Sequence, residues 1–169
     1  HAHMLACGMD PKGIMAELTG RSGGFSKGKG GSMHMFSVEK QFWGGHGIVG
    51  ANVPLGTGMA FAQKYTKSDA ITMTYFGDGA ANQGQVYESF NMASLWQLPV
   101  LYIIENNGVY GLTKGQFSAS ADVGTQAKKG EVNRQPPIDP VLLAMTLGAP
   151  FVARSFSGDK EQVVPLIQA

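Results

Sequence analysis

The pattern of apolar and polar positions predicts two strands joined by a helix in the middle of the chain. Residues 70–76 and 99–105 are runs of β-branched and aromatic residues, which are typical of buried strands. Residues 83–96 lie between them and carry apolar side chains at helical spacing. A strand, a helix and a second strand in this order form a β-α-β unit, so we expect parallel strands and a right-handed crossover.

The same pattern predicts further elements on either side of this unit. They are helices at Pro11–Leu18, 49–65, 139–147 and 159–167, and a third strand at 150–154. The fold class is therefore α/β, a doubly wound and mostly parallel sheet. Three strands are few for such a sheet, so we expect either an added edge strand or a truncated domain that relies on a partner.

Two long stretches show no periodicity and interrupt this order. Residues 20–47 contain a glycine every few positions, and residues 106–135 are polar and also contain glycine. Compact domains keep such long loops mainly for binding. The 24 glycines of the chain are grouped in motifs rather than spread along a tail, so we expect the first loop to fold over a ligand.

Composition and charge exclude several classes of function. Lys and Arg total 13 against 12 for Asp and Glu, and the net charge of +1 indicates neither a nucleic-acid nor a membrane-surface partner. Cys7 is the single cysteine, so no internal disulfide can form. With no secretory leader and no long apolar run, we expect a reducing compartment, the cytoplasm or an organelle matrix.

Polar side chains follow both strands of the central unit. Asp78 lies in a Gly-Asp-Gly turn after the first strand, and Asn106 and Asn107 follow the second. The carboxyl ends of neighbouring parallel strands meet at one edge of a sheet, where such folds gather their ligands. Carboxylate and amide oxygens suit Mg²⁺, which usually shares its ligand shell with phosphates. The sequence therefore predicts a magnesium site there.

A diphosphate is the natural companion of such a metal ion. Gly79 and Ala80 place small residues just before the helix at 83–96, so their amides and the helix N-terminus can receive phosphate oxygens. The alternative is structural: Gly-Asp-Gly is a turn and Asn107 is a cap. The spacing of the two motifs along successive strands favours the binding site.

Most of the chain resembles a known enzyme family. Residues 4–107 are similar to the alpha subunit of the pyruvate dehydrogenase component of 2-oxoacid dehydrogenase complexes. The matching runs are AELTGR at 16–21, GKGGSMHM at 28–35, GIVGA at 47–51 and GDGAANQGQ at 77–85. The resemblance implies a thiamin-diphosphate-dependent enzyme that oxidises 2-oxoacids, and in particular its diphosphate-binding domain.

The remainder of the chain resembles a second, related family. Residues 108–169 are similar to the beta subunit of 2-oxoacid:ferredoxin oxidoreductases. The matching runs are VYGLTKGQ at 109–116, PIDP at 137–140 and LGAPFVAR at 147–154. We therefore interpret residues 1–169 as a single diphosphate-binding domain, a composite with a join near residues 107–112. Both families use thiamin diphosphate, so the join preserves the site.

The resemblance implies a role for individual residues. Asp78 and Asn107 would be side-chain ligands of Mg²⁺, and the Val109 carbonyl would be a third ligand. The implied cofactor-binding residues are Gly47, Ile48, Val49, Gly77, Gly79, Ala80 and Asn82. The stretch from Gly47 to Val49 would meet the aminopyrimidine, and the others would meet the diphosphate. His34 and His46 are candidates for proton transfer or substrate orientation, with loop bracing as the alternative.

Departures from both families limit what the chain could do alone. A Tyr-Arg pair and a His-bearing loop of the dehydrogenase family are missing, and one cysteine cannot hold an iron–sulfur cluster. In both families the glutamate that activates the cofactor belongs to a pyrimidine-binding partner domain. We therefore expect decarboxylation of a small 2-oxoacid only with such a domain or a beta-type subunit, and an inactive isolated chain. Lys114 and Gln116 would approach the cofactor or substrate.

Two other functions stay open. The chain could be a non-catalytic module, engineered or fragmentary, that folds and associates with itself as a homo-oligomer. It could also be a Rossmann-like nucleotide binder, although no Gly-x-Gly-x-x-Gly follows the first strand. Whichever function holds, the few strands of the sheet, the long glycine loops and the small apolar residues from Val49 to Ala62 favour a dimer or a larger assembly.

Overall fold

A computed structural model describes residues 1–111 and 115–168 of the chain. Its contacts divide the chain into two compact units, His1–Asn52 and Val53–Ala169. Each unit has its own buried side chains and is described separately below.

The first unit contains two helices and a long loop. Helix α1 spans Ala2–Ala6 and was not predicted. Helix α2 spans Pro11–Leu18, with the predicted bounds. The Asp10 carboxylate caps α2 by accepting a hydrogen bond of 3.0 Å from the amide of Lys12. Met4, Met9, Ile14 and Met35 form the core with Phe42 against them. The predicted loop at 20–47 has no helix or strand, only a bridge from Ser37 to Phe42.

The second unit is built on the predicted β-α-β arrangement. Strand β1 spans Thr72–Gly77, helix α4 spans Gly84–Leu95 and strand β2 spans Val100–Glu105. The strands are parallel and in register from Thr72 opposite Val100 to Gly77 opposite Glu105. Alternate residues of β1 are buried, whereas β2 is only half-buried, so the second strand is less enclosed than its apolar sequence predicts.

Helix α3 packs closely against the sheet but begins later than predicted. It spans Asn52–Tyr65 rather than starting at Val49, because Gly50 has a φ of 82°, which a right-handed helix does not admit. Within α3, Gly56 is buried so close to β1 that a Cβ there would lie 2.0 Å from Oγ1 of Thr74. Because glycine has no side chain, the backbone of α3 can approach β1 at this position.

The core of the second unit lies between the sheet and helices α3 and α4. It consists of two clusters of buried side chains. Their members are Val53, Phe76, Ala80 and Val86 in one, and Ala60, Ala93 and Leu98 in the other. Tyr102 packs against both clusters, and its hydroxyl lies 2.6 Å from Oγ1 of Thr57. The core therefore supports the strand ends that carry Asp78 and Asn107.

Two helices follow the polar stretch. Helix α5 spans Pro140–Thr146 and helix α6 spans Lys160–Gln168, both close to the predicted bounds. Each begins at an aspartate: Asp139 accepts from the amide of Val141 at 2.9 Å, and Asp159 accepts from that of Gln162 at 3.1 Å. Neither helix has a buried residue.

The prediction of a third strand at 150–154 is wrong. The segment is irregular, Phe151 is 57% exposed, and the guanidinium of Arg154 turns to Asp139, where Nη2 lies 2.5 Å from Oδ1. A strand needs a neighbour with which to pair its backbone, and this segment pairs with neither β1 nor β2. Over the described ranges the sheet thus has two strands, and the fold is a small α/β arrangement with a parallel sheet.

No described helix is both long and apolar enough to cross a membrane.

Candidate functional site

The Asp78 carboxylate is the centre of the candidate site in the second unit. Asp78 directly follows β1, is 2% exposed, and its amide donates to the carbonyl of Glu105 at 3.2 Å. Its Oδ2 accepts from the amide of Gly108 at 3.1 Å, from the hydroxyl of Ser120 at 2.8 Å and from the hydroxyl of Ser118. Its Oδ1 accepts from the amide of Asn107 at 3.3 Å.

All of these donors to Asp78 are electrically neutral. Within residues 1–111 and 115–168 the ion pairs are Lys40 with Glu39 and Arg154 with Asp139, so Asp78 has no cationic partner there. A buried carboxylate that keeps its charge is costly unless it is paired or binds a metal ion. The site therefore offers a buried negative charge to a cation.

The Asn106–Asn107 pair lies beside this carboxylate, at the end of β2. Oδ1 of Asn107 accepts from the amide of Val109 at 3.1 Å, which is the local turn contact expected of a structural asparagine. Oδ1 of Asn106 accepts from the amide of Gly108 at 3.1 Å and lies 2.9 Å from the hydroxyl oxygen of Ser120. The two amide oxygens and the carboxylate thus share one edge of the sheet.

A returning segment brings two serines to Asp78. The amide of Ser118 donates to the carbonyl of Gly108 at 3.0 Å, and Val109 forms an antiparallel bridge with Phe117. Ser118 is 3% exposed. Sequence reasoning missed Ser118 and Ser120 because they lie in a polar stretch without periodicity, where no local pattern indicates which residues return to the strand ends. The prediction for Lys114 lies outside the described residues.

The predicted diphosphate-binding turn is compact. The amide of Ala80 donates to the carbonyl of Gly77 at 3.0 Å. This hydrogen bond would have to break before the amide could donate to a phosphate oxygen. Asn82 is half-buried: its Nδ2 donates to the Asp78 carbonyl at 3.4 Å, and its Oδ1 accepts from the hydroxyl of Tyr87 at 3.3 Å. The ring of Tyr110 covers Gly79, where a Cβ would lie 2.9 Å from its Cδ1.

A cavity of about 10 Å³ adjoins the carboxylate, with Asp78, Asn82 and Ser120 in its wall. That is room for about one water molecule.

The other predicted residues lie in the first unit. Nδ1 of His34 is 3.1 Å from the carbonyl oxygen of Gly45, and its Cε1 is 3.7 Å from where a Cβ of Gly47 would be. The ring of His46 lies 6.2 Å from that of Phe36, between centroids. Ile48 and Val49 are 75% and 60% exposed. His34 thus braces the loop, and the side chains of Ile48 and Val49 stay accessible.

Sequence reasoning also missed Glu17, which organises the glycine-rich loop. Glu17 is 1% exposed, and its carboxylate accepts from the amides of Ser26 at 2.7 Å, Gly28 at 2.9 Å and Gly30 at 2.5 Å. Burial raises the pKa of this carboxyl, but the amide hydrogen bonds outweigh burial and the pKa lies below its usual value. No local signal distinguishes Glu17 from an exposed helix residue, because its partners come from the following loop.

The oxygen donors of the second unit fit Mg²⁺. The part of the chain that the structure describes has no cluster of three or more His, Cys, Asp or Glu side chains that could hold a metal ion, so the candidate ligands are one carboxylate and neutral oxygens. Oδ1 of Asp78 carries a single long hydrogen bond, and an amide oxygen such as Oδ1 of Asn107 can accept at two positions. One carboxylate with amide oxygens is a typical protein contribution to a magnesium site that also binds phosphate.

Comparisons with known proteins place these residues in a family context. The family model described as "Dehydrogenase E1 component" matches residues 1–139. The pyruvate dehydrogenase E1 component subunit alpha of Rhizobium meliloti is 68% identical over 123 residues, which cover 72% of this chain and 35% of that protein. The mitochondrial counterpart of Dictyostelium discoideum is 57% identical over 121 residues, 72% of this chain and 31% of that protein. The chain thus spans about a third of the length of these relatives.

This chain is also similar to a solved structure from the second kind of enzyme that the sequence resembles. The 2-oxoglutarate:ferredoxin oxidoreductase from Magnetococcus marinus, with 2-oxoglutarate, coenzyme A and succinyl-CoA bound, aligns with a TM-score of 0.56 at 25% sequence identity. The alignment covers 70% of this chain and 40% of that one. The predicted resemblance to both kinds of 2-oxoacid enzyme is confirmed. The join near residues 107–112 stays a prediction, and the family match runs across it.

Proposed function

Because the chain belongs to the dehydrogenase E1 component family, we propose that it binds thiamin diphosphate through Mg²⁺ as the diphosphate-binding half of a 2-oxoacid-oxidising enzyme. The substrate class is a small 2-oxoacid such as pyruvate. Oxidative decarboxylation would take place only when a pyrimidine-binding domain or a beta-type subunit completes the site.

The observation that carries this proposal is the buried carboxylate of Asp78 at the end of β1, which has no cationic partner among the residues that the structure describes. It lies against the backbone of Asn107 and Gly108, at the end of the neighbouring parallel strand. An open α/β sheet binds its ligands at the carboxyl ends of its parallel strands, which is where these oxygen atoms lie. A divalent cation bound there would bring positive charge to this carboxylate and would share its ligand shell with the diphosphate.

Each predicted site residue of the second unit has a role in this proposal. Oδ1 of Asp78, Oδ1 of Asn107 and the carbonyl of Val109 would hold the ion. Asn82 and the turn from Gly77 to Ala80 would contact the diphosphate. Asn107 and Val109 are exposed, so their oxygens can be reached from solvent while Asp78 stays buried. The bound cofactor would supply the nucleophilic carbon, and the protein orients it and manages protons.

The first unit would provide the aminopyrimidine contacts. The exposed backbone from Gly47 to Val49 is proposed to meet this ring, and His34 and His46 are proposed to transfer protons or orient the substrate. The Nδ1 contact of His34 with the Gly45 carbonyl fixes which nitrogen carries a proton in the neutral ring and leaves Nε2 as the acceptor. We further propose a reducing compartment, the cytoplasm or an organelle matrix.

A non-catalytic module that associates with itself is the second candidate. It is favoured by an exposed apolar surface on the second unit, where Phe61 is 48% exposed, Leu95 71% and Trp96 40%, with the Phe61 and Trp96 rings 5.5 Å apart. Exposed aromatic groups of this kind are usual where another chain binds. Decarboxylation of a 2-oxoacid by the isolated chain would contradict this candidate.

Isothermal titration of the chain with thiamin diphosphate, with Mg²⁺ and with a chelator, tests the leading proposal. We expect binding only with the metal ion, and we expect Asp78→Asn to weaken it on the order of 100-fold, which corresponds to about 2.7 kcal/mol. Asp69→Asn is the matched control, since Asp69 is exposed and precedes β1, whereas Asp78 follows that strand at its other end. Equal binding in chelator, or equal affinity for all three chains, would contradict the magnesium site.

A further inference from the structure

We propose, resting on the function above, that Ser118 and Ser120 are positioning residues for Asp78. Their hydroxyls hold Oδ2 of its carboxylate, so that Oδ1 alone is presented to the divalent cation. Neither serine belongs to the three ligands proposed for the ion.

The hydrogen bonds of Asp78 are divided unequally between its two oxygens. Oδ2 accepts three: the amide of Gly108 at 3.1 Å, the hydroxyl of Ser120 at 2.8 Å and the hydroxyl of Ser118. Oδ1 accepts one, from the amide of Asn107 at 3.3 Å. A carboxylate oxygen has about two lone-pair sites, so Oδ2 is saturated and Oδ1 keeps capacity for a metal ion.

The two hydroxyls also connect Asp78 to the end of β2. Oγ of Ser120 lies within reach of two acceptors, Oδ2 of Asp78 at 2.8 Å and Oδ1 of Asn106 at 2.9 Å. A serine has one proton to donate, and a charged acceptor is preferred to a neutral one, so the proton goes to Asp78. Oγ of Ser118 is 3.0 Å from that of Ser120. The pair therefore forms one network around a single carboxylate oxygen.

The backbone holds both serines in place. The amide of Ser118 donates to the carbonyl of Gly108 at 3.0 Å, and the amide of Ala121 donates to the carbonyl of Ser118 at 3.1 Å. Gly108 has a φ of 74°, and a Cβ there would lie 3.6 Å from Cα of Ala121, so the two segments are packed closely. The hydroxyls are thus fixed before a metal ion arrives, which reduces the reorganisation needed for binding.

Neutral donors suit this purpose better than a salt bridge would. A lysine or arginine beside Asp78 would compensate the charge that the cation needs. Hydroxyls satisfy the buried oxygen and leave the negative charge in place for the ion. A carboxylate held in this way binds through one oxygen, which favours a small ion of octahedral geometry over Ca²⁺, whose larger shell admits bidentate carboxylates.

The test uses Mn²⁺ as the probe, titrated into the full chain with excess thiamin diphosphate, while electron paramagnetic resonance measures the free ion. We expect Ser118→Ala and Ser120→Ala each to weaken Mn²⁺ binding about 10-fold, and the double variant about 100-fold. Ser120→Thr keeps the hydroxyl and should bind nearly as the native chain does. Ser94→Ala is the matched control, since Oγ of Ser94 donates to the Gly148 carbonyl at 3.1 Å in the same unit.

A second readout separates positioning from general stability. In competition with Ca²⁺, the double variant should lose preference for Mn²⁺, whereas a loss of stability alone would leave the ion preference of the folded chain unchanged. Ser120 is only half-buried, so Ser120→Ala is expected to fold even if Ser118→Ala does not.

The outcomes distinguish this inference from the function on which it rests. If the native chain binds Mn²⁺, Asp78→Asn does not, and both serine variants keep native affinity and ion preference, the positioning role is overturned and the magnesium site stands. If the native chain does not bind Mn²⁺ even with thiamin diphosphate, the proposed function itself fails, and the positioning role fails with it.

Discussion

The hydroxyl of Ser120 lies 2.8 Å from Oδ2 of Asp78, although 42 positions separate the two residues along the chain. Both residues lie within the range that the dehydrogenase E1 component model matches. The contact brings a residue of the irregular stretch that follows β2 to the candidate metal ligand.

Cofactor and metal ion together should stabilise the chain. Binding to the folded state alone raises the free energy of unfolding by about 2.7 kcal/mol when the free ligand is at about 100 times its Kd. Urea unfolding with thiamin diphosphate and Mg²⁺ should show this increase, and either ligand without the other should show much less. The increase should be absent in Asp78→Asn. A similar increase in that variant would place the ligands elsewhere on the chain.

Gly79 and Tyr110 are expected to be energetically coupled. A Cβ at position 79 would lie 2.9 Å from Cδ1 of Tyr110, so Gly79→Ala forces this ring to move. We expect the free energy of unfolding to fall by about 1 kcal/mol, in the range for overpacking. In a Tyr110→Ala background the same change should have almost no effect, and a double-mutant cycle measures the difference.

Gly84→Ala is the control for this cycle, because nothing lies within 4 Å of a Cβ at that position. An equal effect of Gly79→Ala in both backgrounds would show that the ring of Tyr110 does not restrict the turn.

The sequence was sufficient for the parts of the fold that local patterns determine. The apolar runs predicted both strands of the sheet, and helical spacing predicted the helices at 139–147 and 159–167 to within a few residues. The sequence did not predict structure that depends on pairing with residues far away along the chain. Residues 150–154 have a strand-like composition, but a strand forms only if a neighbour pairs with it, and composition does not report that neighbour.

The same limit applies to the candidate site. The positions of Asp78 and Asn107 after successive strands were enough to expect them at one edge of the sheet. Glu17 and Ser118 could not be found in this way. The Glu17 carboxylate accepts hydrogen bonds from amides of a loop that follows its helix. The hydroxyl of Ser118 reaches Asp78 because backbone hydrogen bonds hold the irregular stretch around it in place. Such contacts depend on tertiary structure, which a local pattern does not encode.

Two glycines of α3 should respond in opposite directions to the same substitution. A Cβ at Gly56 would lie 2.0 Å from Oγ1 of Thr74, so Gly56→Ala should lower the free energy of unfolding by about 1–3 kcal/mol through overpacking. Gly58 is exposed with nothing within 4 Å, so Gly58→Ala should raise it by up to about 1 kcal/mol through helix propensity. Urea unfolding measures both. Effects of the same sign would contradict the close approach of α3 to β1.

Glu17 should make the first unit sensitive to acid. Burial raises the pKa of its carboxyl, but hydrogen bonds from the amides of Gly28, Gly30 and Ser26 outweigh it, so the folded pKa lies below the usual value. Its stabilisation is therefore complete above the unfolded pKa of about 4.3 and is lost as the pH falls through the folded pKa. Urea unfolding from about pH 6 to about pH 3 should show a steep loss of stability in the native chain. The loss should be shallower in Glu17→Gln and unchanged in the control Glu39→Gln, whose side chain is 82% exposed. Equal slopes in all three chains would show that the amides around Glu17 do not favour its charged form.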